Sequence, residues 1–126
     1  MDIRTATTDD LDAIVDIASI IDPPADGADL DVAYYEYLLR HGHVSVAEAS
    51  DIIVGYAATV DVDGSRHLSD LFLHVDARGG GIGRALLDEV WDADLRFVPR
   101  QTFASLHPAA LPLYVRAGMA PRWPLL

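Results

Sequence analysis

The sequence predicts a single α/β domain, residues 1–126, in which a mixed sheet carries helices on its faces. Three observations lead there. Hydrophobic spacing runs first at three and four residues, changes to alternation after His43, and returns to helical spacing from Ile82. Asp63-Gly64 between two β-type runs marks a tight hairpin turn. A β-type run that leads through Gly79-Gly80-Gly81 into a helix marks a strand-to-helix joint. At 126 residues, 51% of them hydrophobic, the chain is sized for one core.

The elements follow in order. Ile3 to Ala6 begins a strand, and Thr7 and Thr8 ahead of Asp9 and Asp10 supply helix-capping oxygens and first-turn negative charge. Leu11, Ile14, Val15, Ala18 and Ile21 then form one apolar stripe. Ile21 to Leu30, with Pro23, Pro24, Gly27, Asp22, Asp26 and Asp29, reads as an acidic loop. A second helix covers Asp31 to Arg40 and ends at His41-Gly42. Val44 and Val46 alternate with polar neighbours, Ile52 to Val62 is a longer strand, and Arg66 to Val75 returns antiparallel to it. After the glycines, Ile82, Ala85, Leu86, Glu89, Val90 and Ala93 keep helical spacing, with Trp91 at the stripe's edge. Gln101 to Ser105 is a short strand, and Ala109 to Ala117 a short helix stopped by Gly118. Pro121 and Pro124 allow the tail only a brief edge strand.

Composition excludes several chemistries. Cysteine is absent, so thiolate metal sites and a Cys nucleophile are ruled out, and His41, His43, His67, His74 and His107 are too scattered for a metal set. The formal charge is -11, and all nine basic residues are Arg. That balance argues against a nucleic-acid partner. All 20 acids lie in the first 94 residues, whereas the last 32 hold four arginines and no acid. No apolar run reaches the length of a membrane span, and the N-terminus lacks the order of a secretory signal, so no membrane partner and a cytoplasmic location are the expectation.

Chemistry concentrates after the fourth strand. A strand, a glycine-rich turn and a helix start bring several unpaired backbone N–H groups to one point, which suits an anion. The phosphate loop of nucleotide-triphosphate enzymes needs a Lys that this chain lacks, and the dinucleotide fingerprint needs a third Gly where Ala85 or Leu86 stands.

Leu71 to Leu87, with Arg78-Gly79-Gly80-Gly81-Ile82-Gly83 at its centre, resembles the acyl-CoA motif of the GNAT N-acetyltransferases, Gln/Arg-x-x-Gly-x-Gly/Ala. His107 to Met119, containing Ala110, Leu113, Tyr114 and Gly118, is similar to that family's later motif, Asn-x-x-Ala-x-x-Leu-Tyr-x-x-x-Gly-Phe. Val75 stands where Pro is usual, His107 where Asn is usual, and after Met119 to Leu126 the further strand that the family often adds is missing. A sheet edge left there could be covered by a second copy of the chain.

The resemblance implies a GNAT-like mixed sheet, with acetyl-CoA as co-substrate, an amine as acceptor and no metal. It places pyrophosphate on the backbone N–H groups of Gly79, Gly80, Gly81, Ile82, Gly83 and Arg84, with Arg78 and Arg84 either neutralising phosphate or pairing with Asp76 and Asp88. It sets the pantetheine arm along the backbone from Leu73 to Val75, with His107 within reach of the same arm. Asp70 is the first choice for the general base and His67 the second, each with a plainer alternative: a satisfied strand-end carboxylate and a solvated turn residue. Tyr114 stands where the family keeps its general acid, or simply packs its helix. The implied activity is acetyl transfer to a primary amine on a small cationic molecule by direct attack. The competing reading is a non-catalytic acyl-CoA-binding module of the same fold.

Overall fold

The computed structural model describes residues 1–24, 29–91, 100–102 and 116. Its strands are β1 (Asp2–Thr5), β2 (His43–Ala49), β3 (Ile52–Val62), β4 (Ser65–Leu73) and β5 (Arg100–Thr102), and its helices are α1 (Leu11–Ile21), α2 (Val32–His41) and α3 (Ile82–Val90). The strands lie in chain order across one sheet. β1 to β4 are antiparallel neighbours, and β5 runs parallel to β4, pairing Arg66 with Arg100 and Leu68 with Thr102. The mixed sheet expected from the sequence is therefore present. No helix among the described residues is long and apolar enough to cross a membrane.

Alternation along the strands divides the core between two faces. Val44, Val46, Tyr56 and Ala58 point to one face and pack with Ile14, Ile17 and Ala18 of α1 and Tyr35 and Leu38 of α2. Ala47, Ala57 and Leu68 point to the other and meet Leu86, Leu87 and Val90 of α3, with Trp91 behind them. Buried Ser45 donates to the Leu86 carbonyl at 3.0 Å, which satisfies its hydroxyl on the α3 side. Among the described residues the α3 stripe differs from the expected one at two positions, since Leu87 is buried and Glu89 is exposed; Ala93 lies outside the described residues.

Two bulges interrupt the ladder, the first at Val54 between the pairs Ala47–Gly55 and Glu48–Ile53. The second matters more for function. Ala58 pairs with Asp70 and Thr59 with Leu68, so Ser69 is the extra residue. Leu68 and Leu71 consequently both face α3 although they are three residues apart. Asp70 and Phe72 turn to the face that carries α1 and α2.

The start of α1 is held by an ionic cap. Buried Asp10 accepts from the Thr7 backbone N–H at 2.8 Å and from both terminal nitrogens of Arg4 at 2.8 and 2.9 Å, while Arg4 also reaches Glu48. The Arg4 hydrogen bond holds the Asp10 carboxyl below its ordinary value of 3.8. Asp61 is depressed likewise by buried Arg66, which also donates to the Val90 carbonyl and to His43 Nε2. For a carboxyl depressed by folding, the stabilisation is complete above its unfolded pKa and is lost as pH falls through the folded value. Stability should therefore fall steeply below about pH 4. Asp10→Asn should lose about 1–2 kcal/mol at neutral pH, a hydrogen-bond estimate discounted for the solvent that reaches Arg4, and should flatten that acid slope. Urea denaturation between pH 7 and 3 measures both; an unchanged slope in Asp10→Asn would refute the assignment.

Candidate active site

β4 delivers a carboxylate into the space between sheet and helices. Asp70 is 5% exposed, and each of its oxygens accepts a phenol proton: Tyr34 Oη donates to Oδ1 at 2.5 Å, and Tyr56 Oη donates to Oδ2 at 2.7 Å. Tyr56 comes from β3 and is fully buried, with its ring edge-on to Phe72 at 5.7 Å. Tyr34 comes from α2 and is 37% exposed, with its ring edge-on to Tyr35 at 5.0 Å. Burial first, and then the adjacent Asp70, raise both hydroxyls well above the ordinary tyrosine value, so they remain donors throughout the working pH range. Burial, and then the charges of Asp70, Asp22 and Asp31, raise the Tyr35 hydroxyl above its ordinary value.

His67 lies on the same sheet face as Asp70. It pairs with Val60, which packs against the α1–α2 core, as does Ala58 opposite Asp70. Strict alternation would put positions 67 and 70 on opposite faces. The extra residue Ser69 brings both candidate bases to one side.

The backbone beyond Asp70 is oriented by its pairing. His74 N–H donates to the Val54 carbonyl at 2.7 Å, so Leu73 and Leu71, out of phase with it, direct their N–H and C=O groups away from β3. Among the described residues β5 pairs only with Arg66–Leu68, leaving this stretch of β4 edge facing the β5 side. The expected continuation of the strand to Val75 does not occur. Val75–Ala77 forms a 3-10 turn in which His74 Nδ1 accepts from Asp76 N–H at 3.2 Å and the His74 carbonyl accepts from Ala77 N–H at 2.9 Å. These local bonds divert the backbone from the ladder, and Val75 is left 63% exposed. The ladder thus ends at Leu73, and Val75 lies in the turn that follows it.

The glycine turn follows. Gly79 has φ 87° and Gly81, the N-cap of α3, has φ 80°, a region that excludes most side chains on steric grounds. A Cβ built at Gly79, Gly80 or Gly81 would meet none of the described residues within 4 Å, so these leave the space before the turn open. Ala85 N–H makes a helical bond to the Gly81 carbonyl, which leaves Ile82, Gly83 and Arg84 as the first-turn donors directed at that space. An anion such as a pyrophosphate fits here. Arg84 takes the second of its two expected roles: it donates to Asp88 Oδ1 and to the Arg116 carbonyl, each at 2.9 Å. Arg78 is exposed beside the turn. Tyr114 and His107 lie outside the described residues. Arg116, from the stretch expected to form the last helix, has helical backbone. No group of three or more metal-ligating side chains occurs among the described residues.

A family model described as the acetyltransferase (GNAT) domain matches residues 29–121, which spans α2, the whole β2–β4 meander, the bulge and the glycine turn. The chain belongs to the GNAT acetyltransferases. Among solved structures, this GNAT domain is similar to a ribosomal-protein-alanine N-acetyltransferase from Brucella melitensis, with 26% identity over 94% of this chain and 83% of that one and a TM-score of 0.74. A protein from Clostridium acetobutylicum described as a predicted acetyltransferase, solved with acetyl-CoA, shares the fold at 22% identity, covering 99% of this chain and 94% of that one, with a TM-score of 0.80. AAC(6')-Iy in complex with a bisubstrate analogue, CoA-S-monomethyl-acetylneamine, shares it at 18% identity, covering 99% and 95% of the two chains, with a TM-score of 0.75. No curated protein sequence matches.

Tyr34 and Tyr56 were not among the residues expected to matter. Tyr34 sits beside the buried Tyr35 and Leu38 stripe of α2, and an aromatic residue off the apolar stripe was the one available signal.

Proposed function

We propose that this GNAT enzyme transfers an acetyl group from acetyl-CoA to a primary amine of a cationic acceptor, with Asp70 as the general base and His67 next to it in rank. The observation that carries the reading is the buried Asp70 carboxylate, held by two phenols on the strand whose following residues offer the backbone edge. Acetyl-CoA supplies an acyl group activated as a thioester. The backbone of Leu71–Leu73 is the segment suited to hold its extended arm and to polarise the acyl carbonyl, while Gly79 to Arg84 hold the pyrophosphate. Arg78 adds positive charge beside that turn. Tyr114 and His107 keep the roles the family resemblance gives them, as acid for the leaving thiolate and as a contact to the arm.

Attack requires a neutral amine nitrogen, and the proton it sheds needs an acceptor in the site, the work of Asp70. Exposed Asp22, Asp29 and Asp31 flank the start of α2, and their field favours an acceptor carrying further positive charge. Support for an amine acceptor comes from two similar structures, a ribosomal-protein-alanine N-acetyltransferase and AAC(6')-Iy held with CoA-S-monomethyl-acetylneamine.

Thiol release from acetyl-CoA, measured across an alanine-terminated basic peptide, neamine and spermidine, is expected to become amine-dependent with at least one of them. Background release with all three, from protein that melts cooperatively, would overturn the reading.

A further inference from the structure

Asp70 offers an incoming proton little direct access. Its carboxylate is 5% exposed and both oxygens are engaged, Oδ2 by Tyr56, which has no exposure at all. Tyr34 differs from Tyr56 in every relevant respect. It is on a helix rather than in the sheet core, it is 37% exposed, and its oxygen stands 2.5 Å from Oδ1, a separation typical of a strong charge-assisted O–H···O⁻ bond. Among the described residues, Tyr34 Oη is the polar atom bonded to Asp70 that also belongs to a solvent-exposed side chain.

We propose that Tyr34 is a catalytic residue that relays the acceptor's proton to Asp70. The relay rests on the reading of Asp70 as base and extends it. As the new C–N bond forms and the C–S bond breaks, the nitrogen's N–H bond breaks and leaves its electron pair on nitrogen. That proton bonds to Tyr34 Oη while the phenol's own proton moves to Asp70 Oδ1. The thiolate departs with the C–S pair. Tyr34 ends as it began, a neutral phenol, and Asp70 ends protonated. A free tyrosinate never has to accumulate, consistent with a hydroxyl held well above its ordinary pKa.

The arrangement also explains why a tyrosine suits this position. A phenol has one donor and two acceptor sites on the same oxygen, so it can bond Asp70 and still accept from an incoming amine. The ring is fixed by its edge contact with Tyr35, and the acidic start of α2 lies one turn away, where Tyr34 N–H bonds the Asp31 carbonyl. A cationic amine drawn to that end of the helix meets the phenol before it meets the carboxylate.

The test compares Tyr34→Phe, Tyr56→Phe and Asp70→Asn, using acetyl-CoA and whichever of the three panel amines the wild type turns over fastest. Tyr34→Phe should lower kcat about 100-fold, leave KM for acetyl-CoA unchanged and hardly move the melting temperature. Tyr56→Phe should lower kcat less and the melting temperature more. In mixed light and heavy water, wild-type kcat should fall along a curve, since two protons move together, and Tyr34→Phe should fall along a straight line. Wild-type kcat in Tyr34→Phe, with Asp70→Asn inactive, would overturn the relay and leave Asp70 as base. Wild-type kcat in Asp70→Asn would overturn both.

Discussion

Replacing Asp70 with Ala is expected to destabilise the protein by about 2–4 kcal/mol, because it orphans two hydroxyls at once. The Tyr56 residue is fully buried, and its hydroxyl would lose its one observed partner. The Tyr34 hydroxyl can turn toward solvent and contributes the smaller share. For a chain of this length the loss corresponds to roughly 10 °C in melting temperature. Asp70→Asn keeps one acceptor oxygen and should cost less than half as much. Paired with Tyr56→Phe, which removes the buried orphan, Asp70→Ala should cost distinctly less than it does alone. Thermal melts of the three single variants and the double variant measure this coupling, and strict additivity would show that the buried network does not hold the hydroxyls as the geometry indicates. The network fixes α2 against β4, and in the proposed reading it also holds the carboxylate that serves as base.

Gly81→Val should have the largest effect on cofactor affinity. At φ 80° a β-branched residue strains the N-cap by about 1–2 kcal/mol, and its side chain projects into the open space before α3. If pyrophosphate occupies that space, acetyl-CoA affinity measured by calorimetry should fall at least about tenfold, or 1.4 kcal/mol. Gly80→Ala separates strain from occupancy. Its backbone is not left-handed and its Cβ meets none of the described residues, so its stability should stay near that of the wild type. Undiminished affinity in folded Gly81→Val would remove the pyrophosphate from this turn. The net charge of -11 opposes any polyanion, so the attraction has to come at short range from backbone dipoles and the adjacent Arg78, while more distant acidic charges are screened beyond about 8 Å.

Several features were legible without coordinates because each is written in local chemistry. Thr7 with Asp10 marked the start of the first helical segment, Asp63-Gly64 marked the hairpin, and the change of hydrophobic period marked where helices give way to strands. The glycines at 79 and 81 could be read as an anion site because their need for positive φ, and the free N–H groups of a helix start, depend on neighbours only. The end of β4 was less legible. Nothing in the pattern Leu71-Phe72-Leu73-His74-Val75 announces that the His74 ring will accept from Asp76 N–H and pull Val75 out of the ladder.

By itself, then, the sequence determined the mixed sheet, the helix order, the glycine turn and the kinship with GNAT acetyltransferases. The tertiary structure decided which side of the sheet Asp70 and His67 face. A one-residue bulge at Ser69 leaves no mark in composition or period, yet it reverses every side chain beyond it. With it, Asp70 turns from α3 toward Tyr56 and, across 36 residues of sequence, toward Tyr34. Those meetings depend on strand register and helix packing, which are settled only when both faces of the sheet close over their cores.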